Sequence, residues 1–145
     1  MSTRLPSRSK PVLSVRKDVT VMDALRAMVE RNVGATIVLE GETLIGIFTE
    51  RDAVTRMLLK RLNPETTLIG EVMTTALVTV REDTDRSTAL RLMSDRHIRH
   101  LPVVDREGRV VSMLSMRHLL RAEVNDLRQT VWELVAETAI DGPGG

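Results

Sequence analysis

Gly46-Ile47-Phe48-Thr49-Glu50-Arg51-Asp52 is the stretch on which the reading of this chain turns. The run Leu44-Ile45-Gly46-Ile47-Phe48 is short and apolar, as a buried strand is, and Ala53, Val54, Met57 and Leu58 then recur at helical spacing. Thr49 therefore stands at a helix entrance, with a carboxylate three residues on. Two readings share that geometry. In one it is a capping box, with Thr49 accepting from first-turn amides while Asp52 reaches back to the Thr49 N–H at the positive end of the helix dipole. In the other, the free amides of the helix face an anion and the carboxylate accepts both hydroxyls of a ribose.

Upstream, Val12-Leu13-Ser14-Val15 reads as a short strand, and Asp18-Val19-Thr20 leads into a helix with Met22, Leu25, Met28 and Val29 on one face. Thr20 and Asp23 make a second cap, Gly34 ends the helix, and Ala35-Thr36-Ile37-Val38-Leu39 is a strand that Glu40-Gly41-Glu42 turns back toward Thr49. The unit is strand, helix, strand, strand, helix. Lys60 to Thr67, with Asn63-Pro64, is polar and reads as a link.

Downstream the unit recurs. Leu77-Val78-Thr79-Val80 matches the first strand, and Ala89-Leu90-Arg91-Leu92-Met93 lies over Ala24-Leu25-Arg26-Ala27-Met28 at an offset of 65 residues. Leu101-Pro102-Val103-Val104-Asp105 follows Thr36-Ile37-Val38-Leu39-Glu40 at the same offset, and one extra turn residue brings Ser115 over Thr49 at 66. A unit of this size is too small for a full core of its own, so the two copies are expected to pack together about a pseudo-twofold axis.

Composition narrows the function. The 145 residues fit one domain or two closely packed repeats. With 21 Lys and Arg against 20 Asp and Glu, the net charge of +1 provides no broad positive field for nucleic acid, and Phe48 and Trp132 are the only aromatic side chains on which bases could stack. The absence of cysteine excludes disulfides and thiol chemistry. No apolar run reaches membrane-spanning length and the N-terminus lacks a signal-peptide core, so the expectation is a cytoplasmic protein with no membrane partner.

These stretches resemble a known family, the tandem cystathionine β-synthase (CBS) domain pair or Bateman module, in its small stand-alone bacterial form. The resemblance rests on Asn32-Val33-Gly34-Ala35, Leu44 through Asp52, Val72-Met73-Thr74 and Arg96-His97-Ile98-Arg99-His100-Leu101-Pro102-Val103-Val104-Asp105, and covers the chain from about Pro11 to Arg121. It implies an α/β (α+β) fold with a tail over residues 1–10, a first repeat over 11–62, a link and second repeat over 63–122, and a C-terminal helix extension and tail over 123–145. It also implies a regulatory homodimer rather than an enzyme, one that serves an unknown partner protein. The ligand would be adenosyl (AMP, ADP, ATP, NAD(H) or S-adenosylmethionine), held between the repeats with no further cofactor required. A structural or protein-interaction module with ligand-free clefts is the alternative.

By the same resemblance Thr49 and Asp52 contact ribose and nearby phosphate. Arg99, His100 and Arg117 are phosphate partners, because guanidinium groups form charge-assisted forks with phosphate oxygens. Ile47, Phe48, Val78 and Val80 would flank the adenine. The second cleft departs from the pattern: Ser115 keeps the hydroxyl, but His118 replaces the carboxylate and Ser112 the glycine corresponding to Gly46. Neutral histidine cannot accept from two vicinal hydroxyls, which marks that cleft as degenerate. No metal site is expected, since His97 and His100 have no third histidine or cysteine nearby. Leu120, Val124, Leu127, Val131 and Leu134 follow four-three spacing in the last helix, either packing on their own module or forming a dimer seam.

Overall fold

Thr20 starts the first helix for a local reason. The computed structural model, which describes Leu5 and residues 11–140, puts Thr20 in extended backbone with its hydroxyl accepting from the Asp23 N–H at 3.1 Å. Helix α1 (Val21–Arg31) stops at Asn32, which adopts left-handed backbone (φ 52°) and returns its N–H to the Met28 and Val29 carbonyls. Asparagine tolerates that conformation, so the stop comes two residues before Gly34, where it was expected. The buried stripe is also rotated from the expected one. Val21, Ala24 and Met28 face inward, and Val29 is exposed.

The second repeat solves the same problem with different residues. Asp85 accepts from the Thr88 N–H at 2.8 Å to open α4 (Arg86–Arg96), and His97 ends it at φ 54°. Both helices have 11 residues. Strand β1 (Ser14–Arg16) runs parallel to β2 (Ala35–Glu40), which pairs antiparallel with β3 (Thr43–Thr49). Equivalently, β4 (Val80–Arg81) is parallel to β5 (His100–Val104), which pairs antiparallel with β6 (Val110–Ser115). The bulges repeat too, at Val38/Leu39 and Val103/Val104. Leu77–Thr79, expected within the strand, precede it, because pairing begins only at Val80 with Val103.

Each β3-like strand runs straight into a helix. The first, α2 (Glu50–Asp52), continues as a π-helical turn over Ala53–Leu58, which leaves Val54 and Leu58 exposed instead of on the expected apolar face. The second, α5 (Met116–Ile140), is 25 residues long. Between the repeats, just after the Lys60–Thr67 segment read as a link, lies a short helix α3 (Ile69–Val72).

Alternation along the strands decides which side chains meet which layer. Phe48 and Val38 join Val21, Ala24, Met28, Met57, Ile69 and Val72 in a first core, while Leu101, Val103 and Leu114 join Val80, Ala89, Met93 and Leu119 in a second. Ile37 and Ile47 point the other way. They are nevertheless only 2% and 9% exposed. Pro102 and Met113, partners across β5 and β6, occupy the corresponding face there.

The repeats also exchange the segments that precede their first strands. Ile69 and Val72 enter the first core, whereas Leu5 packs on the second. Thr74 then pairs with Ile47, donating to its carbonyl at 2.8 Å and accepting from its N–H at 3.0 Å, which extends the free edge of β3 by one residue. Met73 lies over Gly46 so closely that a Cβ there would stand 2.8 Å from Met73 Cγ. In the second repeat, the buried Arg86 fastens α4 to α5 through Glu123 (2.8 Å) and Asp126 (2.6 Å). A buried guanidinium is tolerated because both forks are met by carboxylates.

Gly46→Ala should therefore push Met73 off the sheet edge and cost about 1–3 kcal/mol, as overpacking does. Urea denaturation measures this. Adding Met73→Ala should recover part of the loss, and a Gly46→Ala protein as stable as the parent would show that Met73 does not pack there.

Candidate functional site

Both halves of the capping box at Thr49 are formed. The Asp52 N–H donates to Thr49 Oγ1 at 3.1 Å, and the Thr49 N–H donates to Asp52 Oδ2 at 3.0 Å. The carboxylate has further partners: Thr74 Oγ1 lies 3.3 and 3.4 Å from its two oxygens, and Arg56 Nε lies 3.5 Å from Oδ1. Arg56 also donates to the Met73 carbonyl at 3.4 Å. At 12% side-chain exposure Asp52 is nearly enclosed, yet two carboxylate oxygens offer about four acceptor positions, so room for ligand hydroxyls remains. Thr74 was quoted within Val72-Met73-Thr74 but given no role. Only the chain crossing from the link to β3, which no local periodicity reports, brings it to Asp52.

The two repeats meet at Gly34. A Cβ at that position would lie 3.2 Å from His100 Nε2 and 3.5 Å from the Glu50 carboxyl carbon, so glycine is what lets the imidazole approach the first repeat. Matching hydrogen bonds build the corner from each side. The Glu50 N–H donates to the Gly34 carbonyl at 3.0 Å, and the Met116 N–H donates to the Arg99 carbonyl at 2.8 Å. His100 is half-buried, and burial holds its pKa below the ordinary value; Arg99 and His118 push the same way, while Glu50 opposes them.

Glu50, Arg99, His100 and His118 are thus brought together, with Thr49 one residue before Glu50. Asp52 itself has no hydrogen bond or ion pair to Arg99, His100 or Arg117 among the described residues. Arg99 is exposed, and so are Arg117 and His118 in the first turn of α5. The apolar set separates. Ile47 is buried on the face of its sheet turned away from the first core, and Val78 is partly buried against the second core. Phe48 and Val80 are buried in the two cores, because strand alternation turns them to the helix side of their sheets.

The second corner keeps half of the box. The His118 N–H donates to Ser115 Oγ at 3.2 Å, and an imidazole stands where the first repeat has its carboxylate. A groove of about 610 Å³ opens elsewhere, at the hairpin tips, between Thr43, Leu44, Leu77, Thr79 and Val104. The Glu42–Arg109 ion pair (3.7 Å) borders it. It lies at the opposite end of β3 from Thr49, roughly 20 Å along the strand.

The family model described as the CBS domain matches this chain over residues 6–59 and again over 69–125. The chain belongs to the CBS domain family. It is 36% identical over 124 residues to the "CBS domain-containing protein CBSX3, mitochondrial" of Arabidopsis thaliana, covering 82% of this chain and 60% of that protein. It spans 54% and 24% of the length of two further curated relatives. The CBS domain pair of protein MJ0100, solved with 5′-methylthioadenosine and S-adenosyl-L-methionine, superposes with a TM-score of 0.73 at 25% identity, over 81% of this chain and 92% of that one. CBSX2, solved with AMP, superposes at 0.66 with 26% identity, over 85% and 93%. No helix among the described residues is long and apolar enough to cross a membrane.

Folded His100 holds its proton less tightly than the unfolded chain does, so acid favours unfolding. Its contribution is intact above its ordinary pKa of 6.5 and is lost as pH falls below that value. His100→Gln should accordingly reduce the drop in melting temperature between pH 7.5 and 5.5. An unchanged drop would assign the acid sensitivity to other groups.

Proposed function

We propose that this CBS pair is a regulatory module that binds an adenosyl ligand at the corner between its repeats. The observation that carries this reading is the approach of His100 and Glu50 at Gly34, which sets the second repeat's cations beside the first repeat's capped helix entrance. Thr49 and Asp52 serve the ribose. Arg99, His100 and Arg117 serve the phosphate, or the corresponding end of S-adenosylmethionine or NAD(H). AMP, ADP and ATP share the adenine, ribose and first phosphate that this set addresses. The neighbours solved with AMP and with 5′-methylthioadenosine and S-adenosyl-L-methionine support the ligand class.

The binding step is an exchange of partners. Asp52 already accepts from the Thr49 N–H and the Thr74 hydroxyl and is ion-paired with Arg56, so a ribose uses the acceptor positions left open and displaces Thr74 or Arg56 where it needs both oxygens, while the capping bond to the Thr49 N–H is kept. Phosphate charge next to His100 would offset the burial that now disfavours its protonated form. The second corner, with Ser115 and His118, binds weakly or not at all. The protein acts as a cytoplasmic homodimer on a separate target protein, and carries out no catalysis itself. A ligand-free interaction module is the competing reading, favoured by how fully Asp52 is already satisfied.

Native mass spectrometry of the purified protein with AMP, ADP, ATP, NAD(H) and S-adenosylmethionine should show one ligand per chain. Retention of none of them at micromolar concentration would favour the ligand-free reading. Asp52→Ala removes charge-assisted hydrogen bonds of about 1.5–3 kcal/mol, roughly a tenfold to hundredfold loss of affinity by calorimetry. Since the same carboxylate closes the cap, the variant should also melt earlier; unchanged affinity in the folded fraction would remove the ribose role. His118→Asp should strengthen a second binding event, whereas two equal tight sites in the parent chain would contradict the asymmetry.

A further inference from the structure

Helix α5 has two unlike faces. On one, Leu119 is fully buried, and Ala122, Glu123, Asp126 and Thr130 are half-buried, held to α4 by the Arg86 ion pairs. That covered face ends at Thr130; every residue from Val131 to Thr138 is exposed. The other face carries Leu120, Val124, Leu127, Val131 and Leu134, each between 45% and 58% exposed. Such a continuous apolar stripe is costly to leave in water, and nothing among the described residues covers it.

Its pattern specifies an occupant. In heptad terms Leu120, Leu127 and Leu134 fall at d, and Val124 and Val131 at a. Valine at a with leucine at d favours two parallel strands. The flanking charges agree. Arg121 and Arg128 fall at e, followed there by Val135, and Glu123 and Glu137 at g, so a parallel, in-register pair sets Glu123, which also pairs with Arg86 through Oε1, against Arg128 of the partner subunit. An antiparallel pair would instead bring arginine against arginine and glutamate against glutamate. We propose that α5 of a second copy occupies this stripe, parallel and in register, as a short two-stranded coiled coil. The proposal rests on the homodimer reading and specifies its geometry.

The shortness of the seam is offset by anchoring. Isolated helices of this length are marginal because nucleation is unfavourable, but Arg86 and the second core already hold the first half of α5 in helical form. The remaining turns extend a helix that is already started. Association then needs only the apolar contact itself, with little further ordering of the chain.

The chain contains no cysteine, so a single introduced thiol gives a clean probe. Leu134→Cys should cross-link into a disulfide-bonded dimer under mild oxidation, since parallel register sets the two thiols at one level of the seam. Failure to cross-link, in a protein that sediments as a dimer, would overturn the parallel register. Val131→Asp, at an exposed position clear of both cores, should keep the parent's fold by circular dichroism but raise the dimer dissociation constant at least tenfold in analytical ultracentrifugation. A parent chain that sediments as a monomer overturns both the homodimer and the coiled coil. A parent dimer indifferent to Val131→Asp overturns the coiled coil alone.

Discussion

The three residues Val72-Met73-Thr74 hold the molecule together at three levels. Val72 fills the first core, Met73 lies over Gly46, and Thr74 extends the edge of β3 and reaches Asp52. This segment belongs by sequence to the approach to the second repeat and by packing to the first. It fixes where β4 can begin, and so where β5 presents Arg99 and His100. Gly46 is the condition for all of it, because any side chain there would occupy the space that Met73 fills.

The reciprocal placement of Leu5 on the second core gives the arrangement its approximate twofold character. The symmetry is incomplete where chemistry is concerned. The first corner has a complete capping box with a near-enclosed carboxylate, and the second has a serine cap followed by an exposed imidazole. Equal backbones thus carry unequal corners. The helix caps diverge in the same way: Thr20 and Asp85 do one job with a hydroxyl and a carboxylate, and Asn32 and His97 adopt one left-handed conformation with different side chains.

What the sequence made legible was whatever depends on local chemistry and repetition. The offset of 65 residues, the caps at Thr20 and Thr49 and the order of strands and helices all follow from spacing and turn residues, and the structure has them. The misses came from tertiary context. Gly34 looked like a helix stop, and its real constraint is an imidazole from 66 residues away in the chain. Phe48 looked available to a ligand because an apolar run does not reveal which side chains turn to which face; only the register against Thr36 fixes that. The wide turn at Ala53–Leu58 and the short helix α3 also escaped, because both are held by contacts distant in sequence. Of the candidate site, Thr49 and Asp52 were visible as a motif, whereas Thr74, Glu50 and Gly34 became visible only once the two repeats were in place.

The continuity of α5 has a mechanical consequence. It begins one residue after Ser115, at the second corner, and runs without interruption to Ile140, a rod of about 36 Å. A rotation of about 5° at its root therefore sweeps the far end through about 3 Å, given the rise per residue of a rigid helix. The first half, as far as Thr130, sits against the body and is gripped by Arg86, and the turns beyond it project from the body. Small rearrangements among Arg99, His100 and His118, too slight to alter either core, would be magnified at the tip.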